Sequence, residues 1–212
     1  MAYFDLEVMV AKVRVKLDRK VITYADFWRT SEVLLERAQA EPGGSYYFFL
    51  GSLVFSAFSL EAFLNHMGES LFDSWSDLEI LAPRGKLIVI CEHLGLKPKW
   101  NVQPWQTVPE LAGFRNKIAH GKNALVRFEK TVSRDKYEKL WKMFLFADWQ
   151  KYASETNAVR VRKQLEALFR LIHEKPIWRM IGSFIMELKS ALVHLPRNNS
   201  ASSPYVPYLE AQ

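Results

Sequence analysis

Cysteine is all but missing from this chain: Cys91 is alone among 212 residues. That excludes an intrachain disulfide and a cysteine-rich zinc module. Glycine and proline are also scarce, at nine each, which excludes a low-complexity or disordered chain. Long apolar runs are lacking too. Residues Pro42 to Leu60 carry no charge, but they open on a loop, Pro42-Gly43-Gly44-Ser45. The apolar run proper, Tyr46 to Leu60, falls short of the roughly 20 residues that span a bilayer. It also holds Ser52, Ser56 and Ser59, so the expectation is a buried helix of a soluble protein with no membrane partner. The N-terminus carries Asp5 and Glu7 and has no small-residue cleavage site, so it does not read as a secretory signal. Cys91 follows Leu87-Ile88-Val89-Ile90 and reads as a core thiol rather than an activated one. Together these features point to a reducing, cytoplasmic setting.

What is present is a well-packed globular composition, 49% apolar and 14% aromatic, enough for one substantial core. Lys+Arg of 29 against Asp+Glu of 23 gives a net charge of +6, which favours polyanionic partners without naming one. Residues 1–25 form an N-terminal segment open to two readings. Leu6, Met9, Val10, Val13 and Leu17 fit a helical face, whereas Val13-Arg14-Val15-Lys16-Leu17 alternates like a strand, with Val21-Ile22-Thr23 as its return. The alternation favours a short β appendage.

Residues 26–195 read as one helical domain. Asp26 is a fitting N-cap for a first helix carrying Phe27, Val33, Leu34 and Ala38, stopped by Pro42-Gly43-Gly44. The second helix, about Ser45 to Ser74, is apolar on nearly every side and belongs in the middle of a bundle. Gly51 and Gly68 would let a neighbour approach it closely. Pro83 suits the first turn of a third helix that stops at Gly95. After a connector with Pro98, Trp100, Pro104 and Trp105, Thr107 caps a short fourth helix that ends at Gly121. Ser133 caps a fifth, with Tyr137, Leu140, Trp141, Phe144 and Leu145 inward. A sixth starts near Ser154 to Thr156, with Val159, Leu165, Leu168, Phe169 and Ile172 inward. A last one runs from Ile177 to Leu195, and residues 196–212 read as a flexible tail. The class is all-α, an up-and-down bundle with short loops.

The stretch that carries chemistry is Phe114-Arg115-Asn116-Lys117-Ile118-Ala119-His120-Gly121. At about 100° per residue, Asn116 and His120 share a helical face, roughly 40° apart, while Arg115 lies roughly 140° from His120. Histidine titrates near neutrality and serves as general base or acid. Arginine offers a planar, permanently charged fork that suits phosphate oxygens. Lys117 and Lys122 flank the pair and are candidates for further phosphate contacts. Upstream, Ser59-Leu60-Glu61-Ala62-Phe63-Leu64-Asn65 places Glu61 and Asn65 one turn apart on an apolar helix, where both need partners. They suit a supporting role behind the motif.

This combination resembles the HEPN superfamily, whose active members are helical-bundle endoribonucleases with an arginine, four to six residues, then a histidine. The resemblance covers roughly residues 26–150. It implies RNA as substrate, Arg115, Asn116 and His120 as catalytic residues, no metal and no cofactor. It further implies a homodimer whose two motifs face one cleft, since a single histidine does not easily act as acid and base in one step. Members of this superfamily often serve toxin–antitoxin or antiviral defence systems, so an antitoxin or other defence protein is an implied partner. Other members bind RNA, a nucleotide or a protein without cleaving, and that alternative stands beside the first.

Each residue also has a plainer explanation. His120 suits the last turn of a helix with Gly121 as its cap, and Arg115 suits an ion pair with Glu61. His66 suits a capping or solvent-facing role. Trp141, Phe144, Phe146 and Trp149 are of the kind that fills a core. Arg160, Arg162, Lys163 and Arg170 read as a solvated face.

Overall fold

The computed structural model describes residues 21–129, 131–133 and 145–175. Its helices are α1 (Thr23–Ala40), α2 (Ser45–Leu71), α3 (Trp75–Leu78), α4 (Pro83–His93), α5 (Thr107–Ala119), α6 (Asp148–Tyr152) and α7 (Glu155–His173). No strand occurs among the described residues, and the architecture is an all-α bundle. Its axis is α2, which touches α1, α3, α4, α5 and α7. By length and composition alone, α2 is apolar enough to cross a membrane. In the bundle it is the central helix, burying Leu53, Leu60, Phe63, Leu64 and Met67 completely or nearly so. Side chains of this size each contribute about 1.5–3 kcal/mol when fully buried, so this one helix organises the core.

The serines that interrupt the apolar run of α2 face α1. Ser31 Oγ donates to the Ser52 carbonyl oxygen at 2.8 Å, and Ser52 Oγ donates back to the Ser31 carbonyl oxygen at 2.8 Å. Ser56 Oγ is 2.7 Å from Ser31 Oγ, and Ser59 Oγ donates to the Tyr24 carbonyl oxygen at 2.9 Å. Small hydroxyl side chains let the two helices lie close, and each buried hydroxyl finds a partner. The turn between them is Pro42-Gly43-Gly44, and Gly44 has φ +78°, in the left-handed region that favours glycine. Gly68 serves a second close approach. A Cβ there would come within 2.2 Å of the Trp75 ring on α3, so Gly68→Ala would force that short helix away. From the other side α7 lays Phe169 on Phe63, with ring centroids 4.0 Å apart, and buries Leu165, Leu168 and Ile172.

Several expectations need correction. Val21 and Ile22 are not a return strand but the lead into α1, which starts at Thr23 and holds Asp26 in its first turn. The opposing segment, 13–17, lies outside the described residues. Helix α2 stops at Leu71 rather than Ser74, because Phe72 turns extended so that Trp75 can cover Gly68. Thr107 is the first residue of α5 rather than its cap. Val33 and Val159 are exposed; Ser31 of α1 and Ala158 and Val161 of α7 take inward positions instead, while Ala38 is buried as expected. Leu145 and Phe146 are exposed in a non-helical stretch that precedes α6. The rest of the proposed fifth helix, with Tyr137 to Phe144, lies outside the described residues, as do Ile177 to Leu195 and residues 196–212. Ser154 caps α7, its Oγ accepting from the Asn157 N–H at 3.4 Å. Cys91 is fully buried, and burial pushes its thiol up to about 12.

Candidate functional site

Helix α5 positions the motif. Thr107, Val108, Leu111 and Phe114 form its buried stripe, and the next residue round the helix, Arg115, turns toward α2. Arg115 Nη2 donates to Glu61 Oε2 in a short, charge-assisted hydrogen bond. Glu61 is shared: its Oε1 lies 3.7 Å from Lys86 Nζ on α4. Lys86 Nζ in turn donates to Asn65 Oδ1 at 2.7 Å. Two cations, one carboxylate and one amide thus tie α2, α4 and α5 together. The depth differs across the cluster, since the Lys86 side chain is only 3% exposed while those of Arg115 and Glu61 are 25% and 32% exposed.

Lys86 escaped the sequence reading. The available signal was its place four residues before buried Ile90, on the inward face of a helix that is otherwise apolar there. A lysine so placed needs a carboxylate or carbonyl, and Glu61 and Asn65 supply both. That also answers why an acid and an amide sit on the central apolar helix.

Asn116, Lys117 and His120 are exposed at the end of α5. The helix closes with the His120 N–H donating to the Asn116 carbonyl at 3.0 Å and the Gly121 N–H donating to the Ile118 carbonyl at 3.1 Å. Gly121 has φ +51°, a left-handed turn that glycine takes without strain. Beside this turn lies a groove of about 540 Å³. Asn116, Lys117, His120, Lys122, Asn123, Asp148 and Trp149 line it. A second groove adjoins it, sharing Lys117, Lys122 and Trp149 and adding Leu145, Val126 and Gln150. Arg115 lies outside both linings. The structure therefore brings together Asn116, His120, Lys117 and Lys122, and it brings together Arg115, Glu61 and Asn65. It separates the first set from the second.

Protein-family models, curated proteins and solved structures give no match to this chain. The site is therefore read from its own chemistry.

The groove holds an imidazole, two amides, two ammonium groups and a carboxylate. Asp148 is the acid, 3.5 Å from Lys151 on its own helix. Among the described residues no three His, Cys, Asp or Glu side chains cluster. Of the other histidines, His66 packs against the Tyr24 ring at 5.2 Å, and His173 sits edge-on to Phe63 at 5.2 Å. Both belong to the core side of α2 and not to the groove. Arg160 is not a solvated cation: it forms a bidentate pair with Glu110, which holds its guanidinium above the usual range. Arg162 is likewise committed, stacked on Trp28 at 3.9 Å and donating to the Trp28 carbonyl at 2.9 Å. Arg160 and Arg162 thus staple α7 to α5 and α1, while Lys163 and Arg170 are exposed.

Proposed function

We propose that this protein is a metal-independent endoribonuclease of the HEPN type, acting at a cleft shared by two copies. The observation that carries the reading is that His120, Asn116, Lys117 and Lys122 line one exposed groove at a glycine-stopped helix end. Lys117 and Lys122 supply charge for the phosphate backbone. In the reaction the 2′-oxygen of a ribose attacks the adjacent phosphorus and the bond from phosphorus to the 5′-oxygen breaks. One His120 takes the 2′-hydroxyl proton, and the protonated His120 of the second copy gives a proton to the leaving oxygen. Asn116, on the same face as His120, orients the imidazole or donates to a phosphate oxygen. Each copy's groove lacks its own Arg115, so the two-fold arrangement is also what would bring that guanidinium, steadied by Glu61, to the phosphate. The cellular setting that goes with this reading is cytoplasmic, in toxin–antitoxin or antiviral defence, with an antitoxin or other defence protein as partner.

The test is incubation of the dimeric protein with structured RNA in EDTA beside its His120→Ala variant. The expected result is cleavage by the first and none by the second. Cleavage that survives the substitution overturns the reading, and so does a protein that is monomeric in solution while cutting. A second reading, a module that binds RNA, a nucleotide or a protein partner without cutting it, is favoured by one observation: Arg115 is already engaged by Glu61. RNA binding by the wild type without cleavage decides for it.

A further inference from the structure

The two adjoining grooves have a common wall. Lys117 and Lys122 stand on one part of it and Trp149 on another, and all three line both grooves. Trp149 is half-buried and packs against the hydrophobic core. It is thus a fixed indole at the boundary of a basic groove, not a mobile surface side chain. Its position is set by α6, where Ala147 N–H donates to Gln150 Oε1 at 2.8 Å. The neighbouring Asp148 side chain is 85% exposed and lines the first groove. Its charge repels phosphate from that part of the wall and leaves the lysines as the backbone contact.

We infer that Trp149 is a stacking platform for an unpaired nucleobase, and that the groove takes single-stranded RNA rather than duplex. The inference rests on the ribonuclease reading for its substrate class and goes beyond it in naming the strand state and the recognition residue. A positive track beside a fixed aromatic ring is the arrangement that single strands use, since every base has a π-face and only an unpaired base presents it. In a duplex the bases are stacked on each other and none is available to the indole. The backbone phosphates then lie on Lys117 and Lys122, the base at their junction rests on Trp149, and the adjacent ribose reaches the groove that holds Asn116 and His120.

The experiment measures binding of a mixed-sequence 12-nucleotide RNA, single-stranded or annealed to its complement. The protein is the full chain with His120→Ala, so that nothing is cut. Trp149→Leu keeps an apolar side chain against the core but removes the ring, and Trp149→Phe keeps a ring. The expected result is single-strand affinity reduced roughly tenfold or more by Trp149→Leu, within about threefold of the parent for Trp149→Phe, and duplex binding weaker than single-strand binding. Quenching of tryptophan fluorescence on adding the single strand is expected in the parent and lost in Trp149→Phe. Parent-like affinity in a folded Trp149→Leu, or equal binding of duplex, overturns the inference and leaves the ribonuclease reading intact. Absence of binding to either RNA overturns both. Cleavage by the His120→Ala protein during the assay overturns the ribonuclease reading alone.

Discussion

Arg115 and Asn116 are consecutive in the chain, yet they belong to different parts of the molecule. Arg115 is held between helices, donating to a carboxylate that also serves a buried lysine. Asn116, one step of about 100° further round α5, is exposed and lines an open groove with His120. The interlocked cluster has matched donors and acceptors and joins three helices. The groove has cations and an imidazole gathered on a surface where a ligand has room. The contrast teaches that adjacency in a motif does not imply adjacency in a site. What a helical residue does is set by the direction it faces and by what its neighbours already hold.

The sharpest way to break this contrast is through the two kinds of readout. Removing the imidazole with His120→Ala is expected to lower RNA cleavage by roughly 100- to 10,000-fold, the range of a lost acid–base group. Its melting transition should stay within about 0.5 kcal/mol of the wild type, as for other exposed positions. A large loss of stability in that variant would show that His120 belongs to the framework and not to the groove.

Glu61→Ala is expected to do the reverse at the level of the fold. It leaves Lys86 buried with Asn65 alone and releases Arg115. Breaking a fully buried pair costs about 3–5 kcal/mol; Glu61 is partly exposed, so about 2 kcal/mol is expected, read from a denaturant or thermal melt. Lys86→Met should cost less, because an apolar side chain of similar length suits the same space. If Lys86→Met proved the more damaging, the lysine rather than the carboxylate would be the centre of the cluster.

How much of this was legible in the chain follows the same division. The central helix announced itself, because no other stretch is apolar on all sides, and Gly51 and Gly68 marked where neighbours come near; the packing role of the three serines was not read. The Glu61–Arg115 pair was readable as a possibility, since an acid on an apolar helix must find a cation. Lys86 was not, because lysine on a helix ordinarily reads as surface and only tertiary packing turned it inward. The separation of Arg115 from the groove was half legible: the angle of about 140° from His120 was there to be counted. A long guanidinium side chain, however, reaches over such an angle unless another group holds it, and Glu61 does. Trp149 read as core because a tryptophan next to a helix start gives no sign of how much of it stays uncovered. Leu145 read as inward for the opposite reason: its spacing suited a helix, but the chain is not helical there and the side chain lines the second groove.

A smaller effect sharpens the groove side of the comparison. Lys117→Ala combined with Lys122→Ala should reduce the dependence of single-stranded RNA affinity on salt by a slope of about 1.4, two phosphate contacts at about 0.7 each. The melting transition should not move, since both side chains are exposed. An unchanged salt slope would place the backbone contacts elsewhere on the surface.

The smallest effect separates a core imidazole from the one in the groove. Burial lowers the affinity of His173 for a proton below the ordinary value of 6.5, opposed in part by the Phe169 carbonyl 2.9 Å from its Nδ1. In the unfolded chain the same imidazole regains its ordinary value, so over the window just below it the unfolded state binds more protons than the folded one. Stability then rises with pH there. The contribution is fully present above about pH 6.5 and is lost as the pH falls toward the lower folded value. Melts between pH 7 and pH 5 should accordingly show a decline that flattens in His173→Gln, which keeps a polar group at the position but does not titrate. A decline that persists unchanged in His173→Gln would assign it to another group and leave His173 as a packing element only, its ring filling the space beside Phe63 whatever its charge.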